Sequence, residues 1–425
     1  MHETQKRPVF PELSQLLSLS PETHRIPSAL VQQTFAELRI RHEQNPFNII
    51  LLSVDSGAGH IRQAEMMRRV LLDLARIEAK HITFSHPSSL LDNLYKYFQN
   101  NPVIHSLSGR VMDAPVFAPL ARGLSHPNGS TALVQEQIRE REKPVLFITT
   151  HGLGASVAQA ILDEKNGFGV RGGIVELTPD TWSGNKLIAM TGRKQVPKHL
   201  IVVHDQTTKR NYEQIHGREK PVLPWGTVSP HEFLLHDGSV TTNEIPHYLV
   251  QFSGNPSTNY TEAVLEFMVS VAQQIHNEEL NLTVHTMHHT EVVERVTRKA
   301  CELRLTELIE IITAPDVLSA VNSRHDLLIG KGRFGIPDAQ LTKGEGPLMQ
   351  ALAGTRIYSV WGGDHELHNA EVSQQAGRGL NLIGKPPERW RELIEADLQR
   401  NRGTLAPQSW TILALWAFFQ FFDLE

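Results

Sequence analysis

Two groups of residues in this chain have types and spacing suited to chemistry. The first is Asp55-Ser56-Gly57-Ala58-Gly59-His60. Small residues let backbone N–H groups and a helix N-terminus approach a ligand closely, and a histidine at such a turn can move a proton near neutral pH. The competing reading is a tight β–α connection with His60 as a helix cap. The second group runs from Gly330 to Ala351: Gly330-Lys331-Gly332-Arg333-Phe334-Gly335, then Lys343-Gly344-Glu345-Gly346 and Gln350. Glycines running into a helix, with Lys331, Arg333 and Lys343 as counter-charges, suit a diphosphate; a flexible basic loop is the alternative. No Gly-Lys-Ser/Thr step follows at the P-loop spacing, which disfavours a Walker-type NTPase. Beyond it, Trp361-Gly-Gly-Asp-His365-Glu366-Leu-His368-Asn369 loads another strand end with polar groups. His365, Glu366 and His368 match no zinc spacing, so no metal site is assigned.

Elements must carry these groups, and the hydrophobic pattern says which. Asn48–Val54 is short and continuously apolar, as a buried parallel strand would be. After the glycine turn, Met67, Val70, Leu71 and Leu74 fall on one helix face. The alternation returns with strands at 81–84, 145–149, 174–177 and 200–203; strand 145–149 ends in Thr150-His151-Gly152 and is followed by helix 155–163. Strand 174–177 ends in Thr178-Pro179-Asp180-Thr181-Trp182, and strand 200–203 in His204-Asp205. In a doubly wound sheet ligand loops sit at the carboxyl ends of the strands, so His60, His151, Asp180 and His204 are expected along one edge. A second series begins after residue 246, with strands at 248–252, 280–284, 309–312, 326–329 and 357–360 and helices between them. Its first turn is Ser253-Gly254-Asn255-Pro256-Ser257. His285, His288 and His289 are read as a solvated loop.

The fold expected is therefore α/β, with two Rossmann-like parallel sheets facing a cleft. The domains are residues 48–235 and 246–400, preceded by an appendage at 1–47 and followed by an apolar segment at 401–425. The length and 40% hydrophobic content allow a large core. A net charge of −5 gives no broad basic footprint, so nucleic acid is not an expected partner. The single cysteine, Cys301, excludes an intrachain disulfide framework. No apolar stretch follows the opening Met-His-Glu-Thr-Gln-Lys-Arg, and no apolar run reaches the ~20 residues of a spanning helix. A cytoplasmic protein is expected, with any membrane contact peripheral at the inner face. Residues 410–422 are apolar almost throughout but lack the basic face of an interfacial anchor, and are expected to pack back on the first domain.

With both halves in view, the chain resembles the GT-B glycosyltransferases that include monogalactosyldiacylglycerol synthase and the peptidoglycan N-acetylglucosaminyltransferase. Ser56-Gly57-Ala58-Gly59-His60 is similar to the family's first glycine loop, and Thr150-His151 to a strand-end histidine whose following proline is here Gly152. Thr178 to Trp182 is similar to a Thr-Asp step before a tryptophan, Gly226 to Pro230 to the interdomain segment, and Ser253 to Ser257 to the second domain's opening loop. Gly344 to Ala351 and His365 to Ala370 resemble the donor region. The resemblance implies metal-independent inverting transfer from a nucleotide-diphosphate sugar, UDP-linked in this family, to a hydroxyl acceptor, with lipids and glycolipids among the candidates, and no cofactor. It implies donor contacts from Gly254, Asn255, Lys331, Gly332, Lys343, Gly344, Gly346, Gln350, His365, Glu366 and Asn369. Acceptor contacts fall on Ser56, Gly57, Gly59 and Trp182, and catalysis on His60 with Asp180 and His151. Two departures matter. The family's ribose-binding glutamate is here Gln350 and its sugar-reading glutamine is His365, so a nucleotide-sugar 2-epimerase or hydrolase, or a degenerate binding module, remains an alternative.

Overall fold

A computed structural model describes residues 26–54, 58–84, 128–138, 142–163, 168–178, 198–216, 221–226, 228, 243–252, 257–343, 355–361, 364–375, 377–402, 409–422 and 424. The first sheet is built from β1 (Asn48–Val54), β2 (Lys80–Phe84), β3 (Val145–Thr149), β4 (Gly172–Leu177), β5 (His199–Val202) and β6 (Val222–Leu223). All pairs are parallel, in the order β2-β1-β3-β4-β5-β6. The direction of winding reverses between β1 and β3, where Leu52 lies opposite Thr149. Helices cover both faces: α1 (Ser28–Gln44), α2 (Ala58–Val70, continued by a π turn at Leu71–Ala75), α3 (Asn128–Glu136), α4 (Gly152–Leu162) and α5 (Gln206–His216). Burial on both sides explains why β1 is apolar throughout. Ile49 and Leu51 enter one core cluster, whereas Ile50, Leu52 and Val54 enter the other.

The second sheet contains β7 (His247–Gln251), β8 (Asn281–His285), β9 (Glu310–Ile312), β10 (Ala339–Lys343), β11 (Arg356–Trp361) and β12 (Gly379–Asn381). Its order is β12-β11-β10-β7-β8-β9, again wholly parallel, with the reversal between β7 and β10. Its helices are α6 (Thr258–His276), α7 (Thr290–Glu302), α8 (Val317–Leu328), α9 (Asp364–Gln375) and α10 (Trp390–Arg400). Two parallel six-stranded sheets with flanking helices form the GT-B type of α/β fold.

One expected strand is corrected. Residues 326–329 do not form a strand: Leu327 and Leu328 close helix α8 and bury against Leu249 of β7. The true central strand is β10, inside the stretch read as a glycine-rich basic loop. Its sequence, Ala-Gln-Leu-Thr-Lys, hides it because Gln340 and Thr342 are buried polar residues. Gln340 is accommodated by an amide contact with Gln251 of the neighbouring strand, so burial here needed no apolar side chain. His285 is likewise no part of a solvated loop. It is fully buried at the end of β8, hydrogen-bonded through Nε2 to Ser323 Oγ at 2.8 Å.

After α10 the chain returns to the first sheet through a 3-10 turn (Thr411–Leu413) and α11 (Ala414–Phe421). Trp410 N–H donates to Trp225 C=O at 2.9 Å, and the two indoles meet edge to face at 6.3 Å. Phe418 is fully buried over β4, where a side chain on Gly173 would collide with its ring. No helix among the described residues is long and apolar enough to cross a membrane.

Two outcomes follow from this packing. Phe418→Ala removes a fully buried ring and should lower unfolding free energy by about 3–5 kcal/mol in urea denaturation; a loss below about 1 kcal/mol would mean that α11 is only loosely held. Burial, and then the nearby Arg324, pushes the His285 imidazole down to about 3. Because its folded value lies below its unfolded one, His285 contributes stability that is complete above about pH 6.5 and lost as pH falls towards 3. The stability difference between the parent and His285→Gln should therefore shrink by about 1.4 kcal/mol per pH unit between pH 6 and 4. Parallel stability curves for the two proteins would contradict it.

Candidate active site

The reversal point of the first sheet is occupied by two histidines. β1 ends at Val54, α2 begins at Ala58, and His60 lies in the first turn of α2. β3 ends at Thr149, and His151 is the N-cap of α4. A reciprocal pair of bonds joins the two connections. His60 Nδ1 lies 2.7 Å from the Thr150 carbonyl oxygen, and the Thr150 hydroxyl donates to the His60 carbonyl at 3.0 Å. A carbonyl only accepts, so Nδ1 of His60 carries the proton and Nε2 is the basic nitrogen. His151 is held the other way round. Its Nδ1 accepts from the Leu153 N–H at 3.0 Å, so its own proton sits on Nε2. The two rings meet edge to face with centroids 4.6 Å apart. One reversal point thus combines a basic ring nitrogen with a ring N–H that can donate a hydrogen bond. His60 is half-buried, and a side chain added at Gly59 would meet open space. At Gly154 it would press on Thr149 and Leu52 at 3.2 and 3.3 Å, so glycine there allows α4 to sit directly on the two strands. His204 is buried at the end of β5, on the same edge but three strands from β1.

The second reversal point lies between the carboxyl ends of β7 and β10, with Gln251 opposite Thr342. Helix α6 starts there, capped by the Ser257 hydroxyl, which accepts from Tyr260 N–H at 3.2 Å. Lys343 is the last residue of β10 and half-buried; Gly344 follows it directly in the chain. A cavity of about 340 Å³ opens between the first turns of α6 and α7, lined by Thr258, Thr261, His288, His289 and Arg295 among others. Asn369 is buried on α9, the helix that follows β11. His365 and Glu366 lie in the first turn of that helix.

The structure does not bring all the expected donor residues together. Lys331 and Gly332 follow the end of α8 and precede β10, so they lie at the amino edge of the sheet. There Lys331 forms an exposed ion pair with Asp326 at 2.9 Å, and the Arg333 backbone N–H donates to Glu310, the first residue of β9. Lys343 terminates the same strand at the carboxyl edge. A five-residue strand spans about 17 Å, so one diphosphate cannot engage both lysines. Ser56, Gly57, Asp180, Trp182, Gly254, Asn255, Gly344, Gly346 and Gln350 lie outside the described residues.

Two site features escaped the sequence reading. Thr150 is a plain residue between two strand-end positions, and only the backbone geometry shows that its carbonyl sets the His60 tautomer. Arg324 sits mid-helix on α8, yet is buried with its guanidinium donating to the Phe252 carbonyl at 3.1 Å beside Met287 Sδ at 3.5 Å. In sequence it stands within the polar run Asn322–Asp326, which gives no sign of its burial.

No protein-family model and no curated protein matches the chain. Among solved structures it is similar to a UDP-N-acetylglucosamine 2-epimerase of Listeria monocytogenes, at 13% identity, covering 89% of this chain and 98% of that one with a TM-score of 0.51. It is also similar to the UDP-GlcNAc 2-epimerase of Methanocaldococcus jannaschii, at 11% identity, 88% and 99% coverage and a TM-score of 0.49. A third similar structure is the glycosyltransferase SnogD of Streptomyces nogalater, at 15% identity, 87% and 99% coverage and a TM-score of 0.42. At these identities the likeness concerns the fold alone.

Proposed function

We propose that the protein acts on a nucleotide-diphosphate sugar, and that its reaction is transfer of the sugar to a hydroxyl acceptor. The observation that carries this reading is the pair of oppositely protonated histidines at the reversal point of the first sheet. His60 Nε2 takes the acceptor's hydroxyl proton as its oxygen attacks the anomeric carbon. The bond from that carbon to the diphosphate breaks, and the diphosphate leaves with the electron pair. Lys343 and the N-terminus of α6 supply the positive ends that meet the departing charge at the second reversal point. His151 donates from Nε2 and orients the acceptor or sugar. Lys331 and Gly332 have no part in this scheme. UDP is the nucleotide this reading favours, from the sequence resemblance and from the UDP-linked sugars named for the structurally similar epimerases.

A second reading, 2-epimerisation, has a specific observation behind it: a basic ring nitrogen beside an orienting N–H also suits removal of a proton at a sugar carbon by His60 Nε2 and its return from the imidazolium so formed. Incubation of UDP-sugars without acceptor separates the two. An epimerase converts the free donor, whereas a transferase leaves it nearly intact and turns over only with an acceptor. Binding without turnover across a broad acceptor panel would favour the degenerate module.

The site assignment makes its own demands. Lys343→Ala should weaken UDP about tenfold in calorimetry while leaving uridine within about twofold. Lys331→Ala should leave both unchanged, and equal losses for the two lysine variants would overturn the placement of the diphosphate. His60→Ala should lower kcat by about 10²–10⁴-fold with donor KM within a few-fold. Full turnover by that variant would reduce His60 to a helix cap.

A further inference from the structure

Three consecutive residues of α8 touch three separate parts of the molecule. Asn322 Oδ1 accepts from Arg69 Nη2 at 2.5 Å, and Arg69 belongs to α2, the helix that carries His60 in its first turn. Ser323 holds His285 at the carboxyl end of β8. Arg324 turns inward to the Phe252 carbonyl at the carboxyl end of β7, with the Gln251 carboxamide also facing its guanidinium. Phe252 and the α6 cap Ser257 flank residues 253–256 in the chain. Behind Arg69, Glu65 ties the joint to the rest of α2. Burial opposes its charge, but the Arg68 hydrogen bonds at 2.7 and 2.8 Å, with Arg69 and His81 nearby, hold its carboxyl below the usual range.

Successive helical residues point about 100° apart, so this run spans the thickness of the helix between the two domains. A side chain that is nine-tenths buried and carries a full charge is costly to place unless its surroundings fix it. Arg324 therefore has little freedom to move without α8 moving too. We propose that α8 is a mechanical link between the two reversal points, with Arg324 as the positioning residue at the donor end and the Asn322–Arg69 contact at the acceptor end. Filling the second domain's cleft with a nucleoside diphosphate, which rests on the reading given above, is then felt at the helix bearing His60. The direction is reciprocal, as any such coupling must be.

Hydrogen–deuterium exchange on the full chain tests this, with and without UDP. Without ligand, Asn322→Ala should speed exchange in residues 58–70 by at least about threefold while leaving 247–252 as in the parent. Arg324→Gln should speed both segments, and Arg324→Lys, which keeps the charge and one donor towards Phe252, should restore 58–70 at least halfway. UDP should slow exchange in 58–70 of the parent but not of Asn322→Ala. Exchange in 58–70 unchanged by Asn322→Ala overturns the link at its acceptor end, and this variant answers the question even if Arg324→Gln fails to fold; exchange in 58–70 unchanged by a folded Arg324→Gln overturns it at the donor end. Failure of the parent to bind UDP would sink the functional reading, and the ligand-free comparison would still decide the link.

Discussion

The reciprocal bonds between His60 and Thr150 are the constraint on which the account depends. They join the connection after β1 to the connection after β3, and so close the crevice of the first sheet at one defined spacing. They also decide chemistry. A ring nitrogen facing a carbonyl has to be protonated, which sends the basic nitrogen to the other side of the imidazole. His151, satisfied by a backbone N–H instead, takes the opposite tautomer. Two residues of one type thus acquire opposite tautomers from the polarity of the backbone group each one meets.

The polarity of the sheets does comparable work at larger scale. In a wholly parallel sheet every strand ends on the same edge, and helices that follow the strands present their N-termini there. Both reversal points gather groups in this way: His60 and His151 in the first sheet, Lys343 and the start of α6 in the second. The amino edges are finished differently. Asp338 accepts from the backbone N–H groups of Asn243 and His247, both between 2.7 and 2.8 Å, and fastens the entry of the second domain to the start of β10. Lys331 pairs with Asp326 at that same edge. A glycine-rich, basic sequence there serves a turn between helix and strand.

Much of this was legible in the chain alone. β1, its glycine turn and the following helix could be read because both faces of the strand are covered, which makes its apolar run unbroken. β3 with His151 followed from the same pattern, and the two sheets from repeated alternation. The misreading at 326–343 has an equally physical cause. A helical turn of three apolar residues looks like a short strand, and a central strand whose core positions hold Gln340 and Thr342 looks like a loop. Side-chain amides pairing across neighbouring strands break the link between burial and hydrophobicity on which pattern reading relies. The tautomers of His60 and His151 lay beyond sequence altogether, since they depend on which backbone atom each ring meets.

The most direct test of the central claim is the protonation of His60 itself. Long-range 1H–15N correlation spectra of 15N-histidine protein, with His60 assigned from the His60→Gln variant, distinguish protonated from bare ring nitrogens. The account predicts that neutral His60 carries its proton on Nδ1, with Nε2 showing the shift of an unprotonated nitrogen. A His60 signal from the Nε2–H tautomer would contradict it, because the proposed base would then already hold the proton it is meant to accept.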